Sequence, residues 1–214
     1  MDELPVDLDN LRGALAARYP MLHIEDGSVV PIIRGSIAIE HEGRELTWFA
    51  IEIDLAPLAT GALPIVRETA GRIPWNIDRH VLRDGSACVC LPMDYLLRNP
   101  GPFDLLTFIE GPVRGYFIGQ ALVEQGEPWP QGEWRHGNEG SADWFKEFLD
   151  GLSPEQWRAY LQTLAIRELK GHLVCPCGNG RRVRNCHLLF LRLLRRMVSV
   201  AKAREILERP IPPP

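Results

Sequence analysis

The chain has no run of about 18 or more apolar residues, which excludes a membrane-spanning helix. Its acidic start, Met1-Asp2-Glu3-Leu4-Pro5, lacks an apolar h-region, so no secretory signal is expected. No glycine-rich phosphate loop occurs, so the chain is not expected to use ATP itself. No internal repeat is present. Lysine is scarce: Lys146, Lys170 and Lys202 stand against twenty-one arginines. Basic surface is therefore built from planar guanidinium forks, which are not interchangeable with ammonium groups. Cysteine is also sparse, at five residues, and falls in two tight groups. Cys88 and Cys90 form one, and Cys175, Cys177 and Cys186 the other. Such spacing without a secretory signal points to a reducing compartment, so the expected location is cytoplasmic.

What is there in quantity suffices for a core: 45% of the 214 residues are hydrophobic. Charge is unevenly spread. From Lys170 onward ten of the 24 basic residues meet two of the 28 acids, so that segment carries +8 and the preceding one −12. This asymmetry suggests two modules. The tail arginines, among them Arg192, Arg195, Arg196 and Arg204, read as a solvated helix face or, more sharply, as a surface for an acidic partner or nucleic acid.

Hydropathy patterning orders the elements. Leu4, Leu8, Leu11 and Leu15 predict an amphipathic helix ending near Tyr19-Pro20. Strands are expected over Ser28 to Ile39, Leu46 to Leu55 and Ala62 to Arg67, with a turn at His41-Glu42-Gly43-Arg44. Ile73 to Pro100 reads as a long irregular segment, a kind that often carries function. Phe103 to Leu122 predicts a helix bent or capped at Gly111-Pro112, and Glu127 to Gly140 a loop. Ser141 to Leu149 predicts a short helix, and Ser153-Pro154-Glu155-Gln156 opens another that runs to about Leu169. His187 to Leu207 predicts a last helix before the proline-rich end. The expected fold class is α+β: an N-terminal helix, an antiparallel meander and C-terminal helices over residues 1–150, then a small metal-stabilised helical tail over 151–214.

The second cysteine group ends in a histidine. Cys175, Cys177, Cys186 and His187 offer four soft ligands within thirteen residues, a donor set suited to tetrahedral zinc. Gly178 and Gly180 let the backbone fold around the sulfurs. Four protein ligands leave no position for water, so the expected site is structural. The run from Cys175 to His187, with its Cys-Pro-Cys-Gly start, basic stretch and Cys-His end, resembles the SEC-C zinc motif. In that family the motif serves protein–protein contacts.

The first group poses a different question. Cys88 and Cys90 could be buried small hydrophobes on one strand face, a second metal site together with His80, or a reactive thiol. The order of helix, meander, Pro-containing strand (Leu63-Pro64-Ile65-Val66), and Gly85 three residues before Cys88 resembles the ubiquitin-conjugating (UBC) fold over about Leu4 to Leu149. The resemblance implies that Cys88 is the catalytic thiol of a transferase. Cys88 would accept a ubiquitin-like modifier protein as a thioester from an activating enzyme and pass it to an amine of a target protein. It also implies a bacterial setting linked to antiphage defence. The family's His-Pro-Asn turn is absent: Asp78, Arg79 and His80 stand there, with His80 in the place of the Asn that stabilises the oxyanion. An imidazole N–H can serve the same purpose. Glu133 and His136 are candidates to orient the incoming amine, and Arg72, Trp75 and Asn76 to shape the cleft. The Pro214 end lacks the terminal glycine expected of a modifier. The alternative is a non-catalytic UBC-like adaptor with SEC-C as a second contact.

Overall fold

A computed structural model describes residues 7–25, 31–130 and 137–208. It is α+β and divides into two compact units, Met1–Leu91 with Phe103–Glu133, and Pro92–Pro102 with Trp134–Pro214. Among the described residues no helix is long and apolar enough to cross a membrane.

The first unit opens with α1, Leu8–Arg18, capped by the Asp7 carboxylate accepting from the Asn10 N–H. Leu11 and Leu15, one turn apart, are its buried stripe. Leu4 lies outside the described residues. The strands β1 (Leu22–Ile24), β2 (Ile32–His41), β3 (Arg44–Asp54) and β4 (Ile65–Glu68) then form one antiparallel sheet in chain order. The β2–β3 turn is Glu42-Gly43, both at positive φ (51° and 76°), as a two-residue turn between right-twisted strands requires. Period-two alternation sets the faces: Ile33, Ile37 and Ile39 of β2 and Phe49, Ile51 and Ile53 of β3 are all buried. On β2 and β3, Arg34 instead forms ion pairs with Glu25 and Glu52.

β4 is followed by an irregular stretch, but it ends sooner than the expected Pro100. Pro92–Arg98 is a helix, α2. Proline at its start forfeits only an N–H that has no helical partner there, and Met93 and Leu96 recur at helical spacing and are buried. Leu105–Phe108 (α3) and Arg114–Glu124 (α4) are joined by a π turn, Ile109–Val113. The wider turn absorbs Pro112, which has no N–H to give the helix. α4 packs on β2 and β3, with Phe117 against Phe49 at 4.9 Å.

The second unit is helical: α2, α5 (Gly137–Asp150), α6 (Pro154–Leu164), α7 (Leu188–Met197) and α8 (Val200–Glu208). The expected capping box is present: Ser153 Oγ accepts from the Gln156 N–H while the Gln156 side chain accepts from the Ser153 N–H. α6 stops at Leu164, short of Leu169, and its trailing carbonyls are capped by arginine. Arg195 donates to the carbonyls of Ile166 and Arg167, and Arg204 to that of Ala165. The single last helix expected is two. Val198 is extended and Ser199 Oγ accepts from the Lys202 N–H, which starts α8. An aromatic cluster of Trp144, Phe148, Tyr160 and Phe190 fills the core, with Trp144 and Phe148 stacked at 5.2 Å.

Gly35 is the tightest point of the sheet. Its φ is +142°, and a Cβ there would meet the Met21 carbonyl oxygen at 1.8 Å. That neighbour is backbone of the adjoining chain and cannot swing away. Gly35→Ala is expected to destabilise the protein by more than about 1 kcal/mol, read as a lower denaturant midpoint; an unchanged midpoint would show that β1 can shift off β2.

Candidate functional site

The ligand atoms of Cys175, Cys177, Cys186 and His187 lie within 4.8 Å of one another, so the cluster could hold a metal ion. No disulfide forms among the five cysteines. Cys177 Sγ and Cys186 Sγ are 3.7 Å apart, and His187 Nδ1 is 3.3 Å from both Cys175 Sγ and Cys186 Sγ. A tetrahedral ion with sulfur at about 2.3 Å and nitrogen at about 2.0–2.1 Å separates S–S pairs by about 3.8 Å and S–N pairs by about 3.5 Å. The donor set therefore fits in both chemistry and size.

Local structure explains the convergence. Cys175 and Cys177 sit in a turn closed by the Cys175 N–H donating to the Arg181 carbonyl at 2.9 Å. Gly178 and Gly180 have φ of 83° and 77°, the left-handed conformations that the turn needs. Cys186 ends a short 3-10 turn, Val183–Asn185, and His187 caps α7. The Asn179 side-chain amide donates to Cys186 Sγ at 3.1 Å.

His187 Nε2 lies 3.0 Å from the carbonyl of Leu97, in the last turn of α2. A carbonyl only accepts, so Nε2 carries the proton and Nδ1, in the neutral ring, presents a lone pair to the sulfurs. Burial also lowers the His187 pKa, which favours that neutral ring, although the Leu97 carbonyl acts in the opposite direction. Burial pushes the Cys175 thiol up to about 12, so a metal must displace its proton. The Tyr160 phenol is raised by burial first and then by the three cysteines. Gly101 completes the frame by donating its N–H to the Cys186 carbonyl at 2.6 Å. Leu97 and Gly101 escaped the sequence reading because α2 did.

Cys88 follows a small hairpin in the first unit. Val81 bridges Ala87, and the Cys88 N–H donates to the His80 carbonyl at 2.8 Å, so His80 and Cys88 stand opposite each other. Ala87 donates to the Val66 carbonyl of β4, which ties the hairpin to the sheet. At its tip Asp84 accepts from both the N–H and hydroxyl of Ser86, bonds that lower its pKa. Gly85 has φ +77°, and a Cβ there would meet the Trp75 ring at 2.6 Å. The glycine is thus required by turn and packing alike. Asn76 caps the 3-10 turn Ile77–Arg79, and His80 ends that turn at φ +51°.

His80 is buried, its ring 4.3 Å from that of Trp129. Trp129 fits a notch at Gly119 of α4, where a Cβ would come within 2.7 Å of the indole. Gln120, fully buried on the same helix, grips Arg79 twice: its amide donates to the Arg79 carbonyl at 2.6 Å and its oxygen accepts from Arg79 Nε at 2.8 Å. The Tyr116 hydroxyl donates to the same carbonyl at 3.3 Å. Cys88 and Cys90 are both half-buried and belong to no strand of the sheet. Burial raises the Cys88 thiol above its ordinary value.

The other expected residues divide by role. Arg72 is a structural staple: it pairs with Glu124, donates to Thr47 and to the Trp48 carbonyl, and lies 4.3 Å above the Phe49 ring. Trp75 backs Gly85, and Asn76 is a cap. Glu133 and His136 lie outside the described residues. Arg195 and Arg204, read as tail charges, cap α6. No protein-family model, curated protein or solved structure matches the chain.

Three outcomes are expected. Purified protein should retain one metal ion per chain by mass spectrometry, and Cys186→Ser should lose it. Affinity should fall as pH drops, because the thiols and His187 must shed protons to bind; pH-independent affinity would contradict this ligand set. Cys88, mapped by peptide mass, should alkylate more slowly at pH 7 than free cysteine, and should speed up as pH rises beyond the ordinary thiol range.

Proposed function

We propose that the protein is a conjugating enzyme of the ubiquitin-conjugating type, with Cys88 as its nucleophile and zinc as a structural ion. The observation that carries the reading is the pairing of His80 with Cys88 across the hairpin beside β4. It puts a half-buried thiol at the end of a helix–meander scaffold. The His80 imidazole belongs to the residue opposite it, on a turn held by Asn76 and Gln120.

In this reading Cys88 Sγ attacks the carbonyl of a modifier held as a thioester on an activating enzyme. A new S–C bond forms at Cys88, and the activating enzyme's thiol departs. Burial keeps Cys88 protonated at rest, so its proton leaves as the bond forms. His80 would donate to the oxyanion of the tetrahedral intermediate, a contribution of about 2.7–4 kcal/mol for a preorganised donor. A target amine then attacks the same carbonyl, the C–N bond replaces the C–S bond, and Cys88 is released as the thiol.

Zinc is the reading for the second centre because three thiols and an imidazole match its tetrahedral preference. Four protein donors leave it no open position. Its contribution is folding free energy, about 10–16 kcal/mol in small zinc modules.

A second reading, a non-catalytic adaptor, is favoured by two observations: the His80 ring packs at a tilt against Trp129, and burial raises the Cys88 thiol above its ordinary value. One experiment separates them. With an activating enzyme, ATP and a cognate modifier, the first reading expects a reductant-sensitive adduct lost in Cys88→Ala and kept in Cys90→Ala. An adduct that survives Cys88→Ala sinks it, and absence of any adduct with a cognate pair leaves the adaptor reading.

A further inference from the structure

A cavity of about 370 Å³ opens beside the metal turn, within the second unit. That volume is in the range of sites that take small ligands or single side chains. Its walls include Trp144, Phe148 and Tyr160, three aromatic groups of α5 and α6, and Cys177 of the ligand set. Trp144 and Phe148 lie parallel at 5.2 Å, and Tyr160 meets Phe148 edge-on at 5.4 Å. Aromatic walls alone would accept any apolar group. The charges at the mouth decide between ligand classes.

Asp94 and Arg98 spend their charges on each other through a bond of 2.7 Å, and the second Asp94 oxygen accepts from the Trp144 indole at 3.1 Å. Glu147 also lines the cavity, is exposed, and holds no ion pair among the described residues. With a divalent ion bound, three thiolates and a neutral imidazole would add one further negative charge, and Cys177 is half-buried on the wall. Asp94 and Glu147 share one cation, Arg98, so the lining keeps one acid in excess and the cavity combines π faces with net negative charge. A cation on an apolar stem meets both conditions, the stem against the rings and the charge near Glu147.

We propose that this cavity binds the side chain of a lysine or arginine from a polypeptide partner. The thiolate part of the field rests on the metal reading above; the aromatic walls and Glu147 do not.

The test uses full-length protein and four probes: the N-acetyl methylamides of lysine, arginine, norleucine and glutamate. The readout is the indole N–H resonance of Trp144, assigned by Trp144→Phe. Lysine or arginine should shift it saturably, norleucine more weakly and glutamate least. Glu147→Gln, a surface change, should weaken the cations about three- to fivefold and leave norleucine unaffected. Phe148→Leu should weaken all but glutamate, with folding checked by thermal melting. Norleucine binding as tightly as lysine overturns the proposal. So does cation affinity unchanged in Glu147→Gln, or no saturable shift with either cation. Metal content of the same sample is read separately: a metal-free protein removes the zinc reading and leaves the cavity test standing.

Discussion

The hydrogen bond between the His187 imidazole and the Leu97 carbonyl, 3.0 Å long, is the contact on which the second unit depends. It fixes which ring nitrogen faces the three sulfurs, and it joins α2 to a turn that lies ninety residues later in the chain. The Gly101 N–H bond to the Cys186 carbonyl repeats that junction a few residues on. Neither bond would be well placed without the other, because α2 has only seven residues and little helical stability of its own. The four-ligand cluster, its imidazole and α2 therefore form one interdependent arrangement. The aromatic cluster of Trp144, Phe148, Tyr160 and Phe190 packs around it.

In the first unit the corresponding part is played by a neutral side chain. Gln120 pairs both ends of its amide with Arg79, the NH2 with its carbonyl and the oxygen with its guanidinium, and so holds the turn that carries His80 in a left-handed conformation. A buried amide with both ends paired costs little, whereas a half-paired one would be expensive. Strain at His80 is supported by packing at Trp129 and Gly119.

Much of this was readable in the chain. The meander, the Glu42-Gly43 turn and the capping box at Ser153 follow from local chemistry, and local chemistry survived folding. The metal cluster was readable for the same reason: its ligands span thirteen residues, so spacing nearly determines geometry. What could not be read depends on distant partners. α2 was hidden because Pro92 resembles a breaker until it is placed at a helix start. Leu97 and Gly101 act through backbone atoms, which carry no residue signature. Gln120 and Trp129 are far in sequence from the turn they hold, and single residues of those types announce nothing. The tail arginines read as a solvated face or as a surface for an acidic partner or nucleic acid, and two of them, Arg195 and Arg204, also donate to the carbonyls that follow α6.

The composition of the second unit has a consequence for how this protein can be divided. The unit is drawn from two separate stretches of sequence, one of which, Pro92–Pro102, is enclosed by the first unit's own segments. A fragment beginning at Trp134 would carry all four ligands and yet lack the carbonyl and the amide that orient two of them. Conversely, the stretch Pro92–Pro102 starts four residues beyond Cys88. Part of what orients the candidate metal cluster is therefore written just behind the Cys88 thiol, with Leu97 ninety residues before His187.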